Sequence, residues 1–255
     1  MKTKYIELIN HLKDLFGEDE VYSAGHLNLF ISTPAQDDEG LVPVAICYDE
    51  QGCYFSDGGA SYVASENLLQ SAKKKYKINF SDSRRHFVPL KTADSGEVLA
   101  ALSKVACFLD LCVMEDALNK IQPLEDEEPY FIDSERVALF DIEKFKDEIL
   151  SNNWCMQILE EENKLIVQTL LTDGKKNLTF DIVTKEDGYY FSIDTNFEKV
   201  KNSHFLKKAQ ILFGFVVNEE EGKLETKFEF LETLHLDIND ALCIILFASN
   251  IDLFN

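Results

Sequence analysis

Basic residues are scarce in this chain of 255 residues: 25 Lys and Arg stand against 46 Asp and Glu, for a formal net charge of −21. A field of that sign repels phosphate backbones, so direct nucleic-acid binding is not expected, and a basic protein surface is the natural partner. Long apolar runs are also missing. Val105 to Met114 is interrupted by Asp110, and Ala241 to Ala248 is shorter still. Both fall well below the ~20 residues of a membrane span, so no membrane association is expected. The start, Met1-Lys2-Thr3-Lys4-Tyr5-Ile6, turns polar at Asn10 and His11. No signal peptide is read there, and the expected compartment is the cytoplasm.

Metal-ligand spacing is absent as well. The six cysteines (Cys47, Cys53, Cys107, Cys112, Cys155, Cys243) form no CxxC pair, and the five histidines (His11, His26, His86, His204, His235) are scattered. Neither a metal nor a cofactor is expected, and the cysteines read as small packed hydrophobes. No phosphate-binding loop, dinucleotide fingerprint, nucleophile elbow or HExxH helix occurs.

What the chain does have is apolar content and a repeated layout. Hydrophobic residues make up 45%, with 19 Phe, which is enough for a packed interior. Gly52-Cys53-Tyr54-Phe55-Ser56-Asp57 recurs as Gly188-Tyr189-Tyr190-Phe191-Ser192-Ile193-Asp194, the glycines 136 positions apart (188 − 52). Each copy has an opening helix, a run of alternating strands with short turns, a Lys-rich middle helix, a further strand pair and an apolar closing helix. Consecutive strands with short loops indicate antiparallel meanders. The predicted fold is α+β: two homologous halves, 1–121 and 135–255, each an antiparallel sheet covered by helices. The acidic, proline-flanked stretch 122–134 (Pro123-Leu124-Glu125-Asp126-Glu127-Glu128-Pro129) would link them.

Within that layout, Pro34 and Asp37-Asp38-Glu39-Gly40 are expected to turn the chain after a strand over Leu27 to Ile31. Lys199 to Phe213 is expected to be one helix. Leu224, Thr226, Phe228 and Phe230 alternate with Glu225, Lys227 and Glu229, which predicts one wet sheet face. The closing helices are apolar nearly all round (Cys107-Phe108-Leu109, Cys243-Ile244-Ile245-Leu246-Phe247). A buried helix or a homodimer seam would account for that.

Few motifs carry chemistry. Ser56-Asp57-Gly58-Gly59 is either a glycine-rich loop offering N–H groups to an anion or a permissive turn. The second copy keeps Asp194 but has Thr195 and Asn196 in place of the glycines, which favours the turn. Lys73-Lys74-Lys75, Lys77 and Arg84-Arg85 read as a solvated helix end. Glu160-Glu161-Glu162 and Glu219-Glu220-Glu221 sit in turns or at element ends, as solvated tips or as carboxylate arrays that imitate a phosphate backbone. His26 and Asp57 are the pair an enzyme would use.

Ile31-Ser32-Thr33-Pro34, an acidic turn, a Val/Ile strand and then Gly52-Cys53-Tyr54-Phe55-Ser56-Asp57-Gly58 resembles the domain-of-unknown-function family 1828, over roughly residues 20–110. Gly58 stands where that family usually has a second aspartate. The resemblance implies a setting in phages, mobile elements and bacteria, and no activity.

These observations lead to an expected function. The chain would be a non-enzymatic acidic interaction protein of a phage or mobile element, covering a basic surface on a host nucleic-acid-binding or defence protein and inhibiting it. The expected partner-binding residues are Glu160, Glu161, Glu162, Glu219, Glu220 and Glu221, with Asp57, Gly58 and Gly59 as a turn or ligand loop. The alternatives are an enzyme acting on nucleic acid or nucleotides near His26 and Asp57, and a homo-oligomeric structural protein.

Overall fold

The computed structural model describes residues 2–17, 21–23, 28–37, 40–49, 52–56, 60–80, 86–90, 95–121, 142–186, 188–194, 197–213, 215–227 and 234–254. The linker stretch 122–134 and the Asp57-Gly58-Gly59 loop therefore lie outside the described residues. Two compact units are present: one takes in Met1–Glu115 with the hairpin tip Leu171–Lys176, the other Asp116–Leu170 with Asn177–Asn255.

In the first unit, α1 (Lys2–Phe16) buries Leu8, Leu12 and Phe16 at four-residue spacing. Gly17, with φ +85°, follows it in the left-handed region that glycine adopts freely. The strands β1 (Val21–Ser23), β2 (Asn28–Asp37), β3 (Gly40–Asp49) and β4 (Gly52–Ser56) form an antiparallel meander. After a single 3-10 turn, Ala60–Val63, comes α2 (Glu66–Tyr76), then β5 (Asn79–Phe80), β6 (His86–Leu90) and α3 (Ser95–Lys120). Ser65 starts α2 by accepting the Leu68 N–H at 3.2 Å. It is itself clamped by Glu115, whose carboxylate takes the Ser65 N–H and hydroxyl, both at 2.6 Å.

The second unit runs α4 (Ile142–Ser151), β7 (Cys155–Glu161), β8 (Lys164–Thr172), β9 (Asn177–Lys185), β10 (Gly188–Asp194), α5 (Phe197–Lys201), α6 (Leu206–Phe213), β11 (Val216–Asn218), β12 (Lys223–Lys227) and α7 (Leu234–Ser249). Alternation sets its buried face: Leu165 and Val167 on β8, Leu178, Phe180 and Ile182 on β9, Phe191 and Ile193 on β10, Leu224 on β12. α4 packs on β7, and α7 packs on β9, α4 and α6.

The fold is α+β, with two separate antiparallel sheets and helices. Their strand orders are β1-β2-β3-β4-β6-β5 and β7-β8-β9-β10-β12-β11. Both are the same order: a four-strand meander, then the last strand of the set, with the fifth outside it. Among the described residues, no helix is long and apolar enough to cross a membrane.

Two expected elements differ from what is observed. Pro34 does not turn the chain. β2 continues through it to Asp37, and the pairing with β3 becomes irregular between Ser32 and Gln36, where a residue without an N–H is tolerated. The middle helix of the second unit is broken into α5 and α6 at residues 202–205. There the Ser203 hydroxyl accepts the Phe205 N–H at 3.2 Å, the local bonding by which serine competes with helix continuation.

The apolar closing helices are buried on all sides within one chain. Every side chain from Val105 to Glu115 is buried, and so is every one from Ala241 to Ala248. Their all-round apolarity thus has a sufficient cause without a second copy. Leu109 is fully buried, so Leu109→Ala should cost about 2–5 kcal/mol in urea unfolding, through lost burial plus an unfilled cavity. An unchanged unfolding midpoint would place Leu109 outside the core.

Candidate functional site

The acidic triads fall at opposite edges of the second sheet. Glu160 and Glu161 end β7 and Glu162 opens the turn to β8, while Glu219, Glu220 and Glu221 make the turn from β11 to β12. Four strands separate β7 from β11, so the triads form two patches on one unit rather than one continuous surface. All six residues are exposed.

Lysines hold several of them in place. Lys146 bridges Glu143 at 2.8 Å and Glu160 at 2.9 Å, and these two carboxylates raise its pKa. Lys164 reaches Asp181 at 3.1 Å and Glu161 at 3.7 Å, and Lys201 reaches Glu219 at 2.7 Å. Such exposed pairs add little to stability. Among the described residues, Glu162 and Glu220 have no ion-pair partner. The charge at both patches is therefore incompletely neutralised.

Between the patches, the sheet face opposite the core is not uniformly wet. Leu224 points to the core and Glu225 to the other face, as alternation requires. Yet Glu225 is only 5% exposed, and Ser192, its register partner on β10, only 1%. Glu225 accepts two bonds from Lys185 Nζ, at 3.1 and 3.0 Å, and one from Asn218 Nδ2 at 3.1 Å. The Lys185 ammonium also lies 4.7 Å from the Tyr190 ring centre. The bonded Glu225 carboxylate raises the Lys185 pKa. Lys185 and Asn218 lean over the carboxylate and shut out water, which the polar alternation could not reveal.

The first unit has a buried polar cluster that sequence reasoning did not assign. Asp110, the one acid inside the apolar run of α3, is fully buried. Its Oδ1 accepts the Ala35 N–H at 3.2 Å, next to the β2 irregularity. Asp110 Oδ2 and Thr33 Oγ1 are both buried and make no hydrogen bond. Burial pushes the Asp110 carboxyl from its ordinary 3.8 up to about 7, and the nearby Thr33 hydroxyl and Ala35 N–H pull it back only in part. One turn away, Cys107 Sγ accepts the Thr172 N–H at 3.2 Å, and burial raises that thiol far above its ordinary value. Asp110 breaking the apolar run was the only sequence signal for this cluster.

His26, Asp57, Gly58 and Gly59 lie outside the described residues. Among the described residues, no group of three or more His, Cys, Asp or Glu side chains could hold a metal ion. Comparison with protein-family models, with characterised proteins and with solved structures finds no match to this chain.

Two outcomes follow from this geometry. Between about pH 4 and pH 7 the folded chain keeps a proton on Asp110 that the unfolded chain has lost. Stability attributable to this residue therefore falls as pH rises through that window. Asp110→Asn should remove this slope and stabilise the protein most at the alkaline side, read as urea midpoints at about pH 5 and about pH 8. Equal midpoint shifts at both values would contradict it. Separately, Lys185→Met should destabilise the fold more than Lys146→Met. The first strands the buried Glu225 carboxylate, on the order of 2 kcal/mol after allowing for the part-exposed lysine, whereas the second releases exposed acids. Thermal denaturation of the two variants gives the ranking.

Proposed function

We propose that this chain is a non-catalytic binding protein whose acidic second half docks onto a basic surface of a protein partner. The observation that carries the reading is the pair of exposed glutamate triads. They sit on a part of the chain (residues 123–255) with 28 acids and 13 bases, net −15. Each triad is held by a sheet edge, so its carboxylates are presented at fixed positions, and each leaves charge that local lysines do not cancel. A partner that itself binds nucleic acid offers the complementary surface, because the carboxylates occupy the role of phosphates. The family resemblance adds a setting: a phage or mobile element, with a host nucleic-acid-binding or defence protein inhibited by having its basic surface covered.

We also propose that the two sheets descend from one duplicated unit. The common strand order and the recurrent Gly-x-Tyr-Phe-Ser strand support this. In this reading the second copy gained the acidic surface after duplication, since residues 1–122 carry only net −6 (18 acids, 12 bases).

The function is tested with a partner captured from host lysate and then purified. Binding should weaken steeply from low to high salt, because surface charges are screened over about 8–10 Å at physiological ionic strength. Reversing Glu160, Glu161 and Glu162 to Lys, or Glu219, Glu220 and Glu221 to Lys, should reduce association while leaving the melting temperature nearly unchanged, as exposed turn residues contribute little to the fold. Salt-insensitive binding with both triple variants unaffected would end the proposal.

A further inference from the structure

Among the described residues, four strands lie at sheet edges: β1, β5, β7 and β11. Three of them are very short, with three, two and three residues, which is the usual way of blunting an edge. β7 is different. It has seven residues, Cys155-Met156-Gln157-Ile158-Leu159-Glu160-Glu161, with neither Lys nor Pro among them. Among the described residues it pairs with β8 alone, and after an irregularity at Met156 the register runs unbroken from Gln157↔Gln168 to Glu161↔Lys164. In an antiparallel ladder, half of an edge strand's N–H and C=O groups point away from its neighbour. Among the described residues, none bonds the outward groups of Gln157 to Glu161. The side chains beside that edge are open too: Met156 is 51% and Leu159 43% exposed.

We propose that β7 is a docking edge, to which an extended segment of a basic partner adds as a further strand of the sheet. This rests on the reading above and specifies its geometry. Successive side chains alternate between faces, so Glu160 lies on the α4 side, bonded to Lys146, and Glu161 on the other, beside Lys164. A segment that engages both must carry two consecutive basic residues, one for each face. Toward the start of β7, the partner strand meets Leu159 and Met156 and should be apolar there. The main chain supplies binding energy through ladder hydrogen bonds, and the basic doublet fixes register and direction. A second copy of this chain is the disfavoured occupant: paired antiparallel about Ile158, it would set Met156 and Cys155 opposite Glu160 and Glu161 and supply no cation to either carboxylate.

The probe is a synthetic peptide of about eight residues, alternating Val and Thr and ending in Arg-Arg, titrated against the full chain by fluorescence anisotropy. A second peptide has the same sequence and charge but is N-methylated at alternate residues, which removes the donors facing β7. Saturable binding of the first is expected. The methylated peptide should bind about tenfold or more weakly, as two or three ladder bonds are lost. The Glu160→Lys, Glu161→Lys double variant should weaken the unmethylated peptide in the same range. Equal binding of both peptides would overturn strand addition while leaving charge-driven docking intact. No binding of either would also overturn it. Self-association abolished by the double variant in sedimentation would overturn it in favour of a second copy. The charge-docking reading fails separately, if the captured partner ignores salt and both triple reversals.

Discussion

The complete burial of one long segment in each of two helices is the constraint on which the rest of this structure depends. From Val105 to Glu115 and from Ala241 to Ala248 there is no exposed side chain, so each segment is surrounded by protein over its full circumference. A helix buried in this way cannot be covered by one sheet face alone. It fixes where sheets and flanking helices must lie, and every apolar side chain around it contributes in the usual range for buried Leu, Ile and Phe. Polar groups inside such a region are costly, and the few present are tied down. Glu115 clamps the start of α2 through Ser65, and Cys107 takes the Thr172 N–H. Asp110 is the partial exception: one of its oxygens is left without a partner, and the carboxyl responds by holding its proton.

With the apolar interior settled by those helices, charge is free to collect outside it. The acids are concentrated in the second half, and the sheet there presents them at its two edges. The same sheet handles charge in two ways. At Glu225 the carboxylate is covered, bonded by Lys185 and Asn218, and serves the fold. At Glu160 to Glu162 and Glu219 to Glu221 the carboxylates stay in water, and because these acids are themselves exposed the lysines that reach them form only weak pairs. That contrast is why the proposed docking uses the triads and not the more highly bonded Glu225.

Much of this fold was legible in the sequence. Period-two alternation located the long strands, and helical spacing at Ile6, Ile9, Leu12 and Leu15-Phe16, and at Ile142, Phe145 and Ile149, located the opening helices, although α1 buries Leu8, Leu12 and Phe16 and leaves Ile6 and Leu15 exposed. The near-continuous apolar stretches announced the closing helices, because no amphipathic surface helix has that pattern. Pro34 misled because a proline reads as a turn, whereas a strand with an irregular register can pass through it. The break between α5 and α6 depends on one serine hydroxyl turning back on the main chain. The site was less legible. The triads were visible as charge runs, but their separation onto opposite sheet edges depends on strand order, which periodicity does not give. The burial of Glu225 depends on Lys185, 40 positions earlier on β9 with β10 in between, and on Asn218 of the neighbouring β11.

In the proposed docking, the partner meets the second half at its acidic sheet edges. Amide hydrogen exchange of the full chain, with and without the purified partner, tests it most directly. Slowed exchange is expected at Gln157 to Glu162, with a second protected patch around Glu219 to Glu221 and the buried helices unchanged. Protection confined to other segments, with the β7 amides exchanging as fast in the complex as in the free chain, would contradict it.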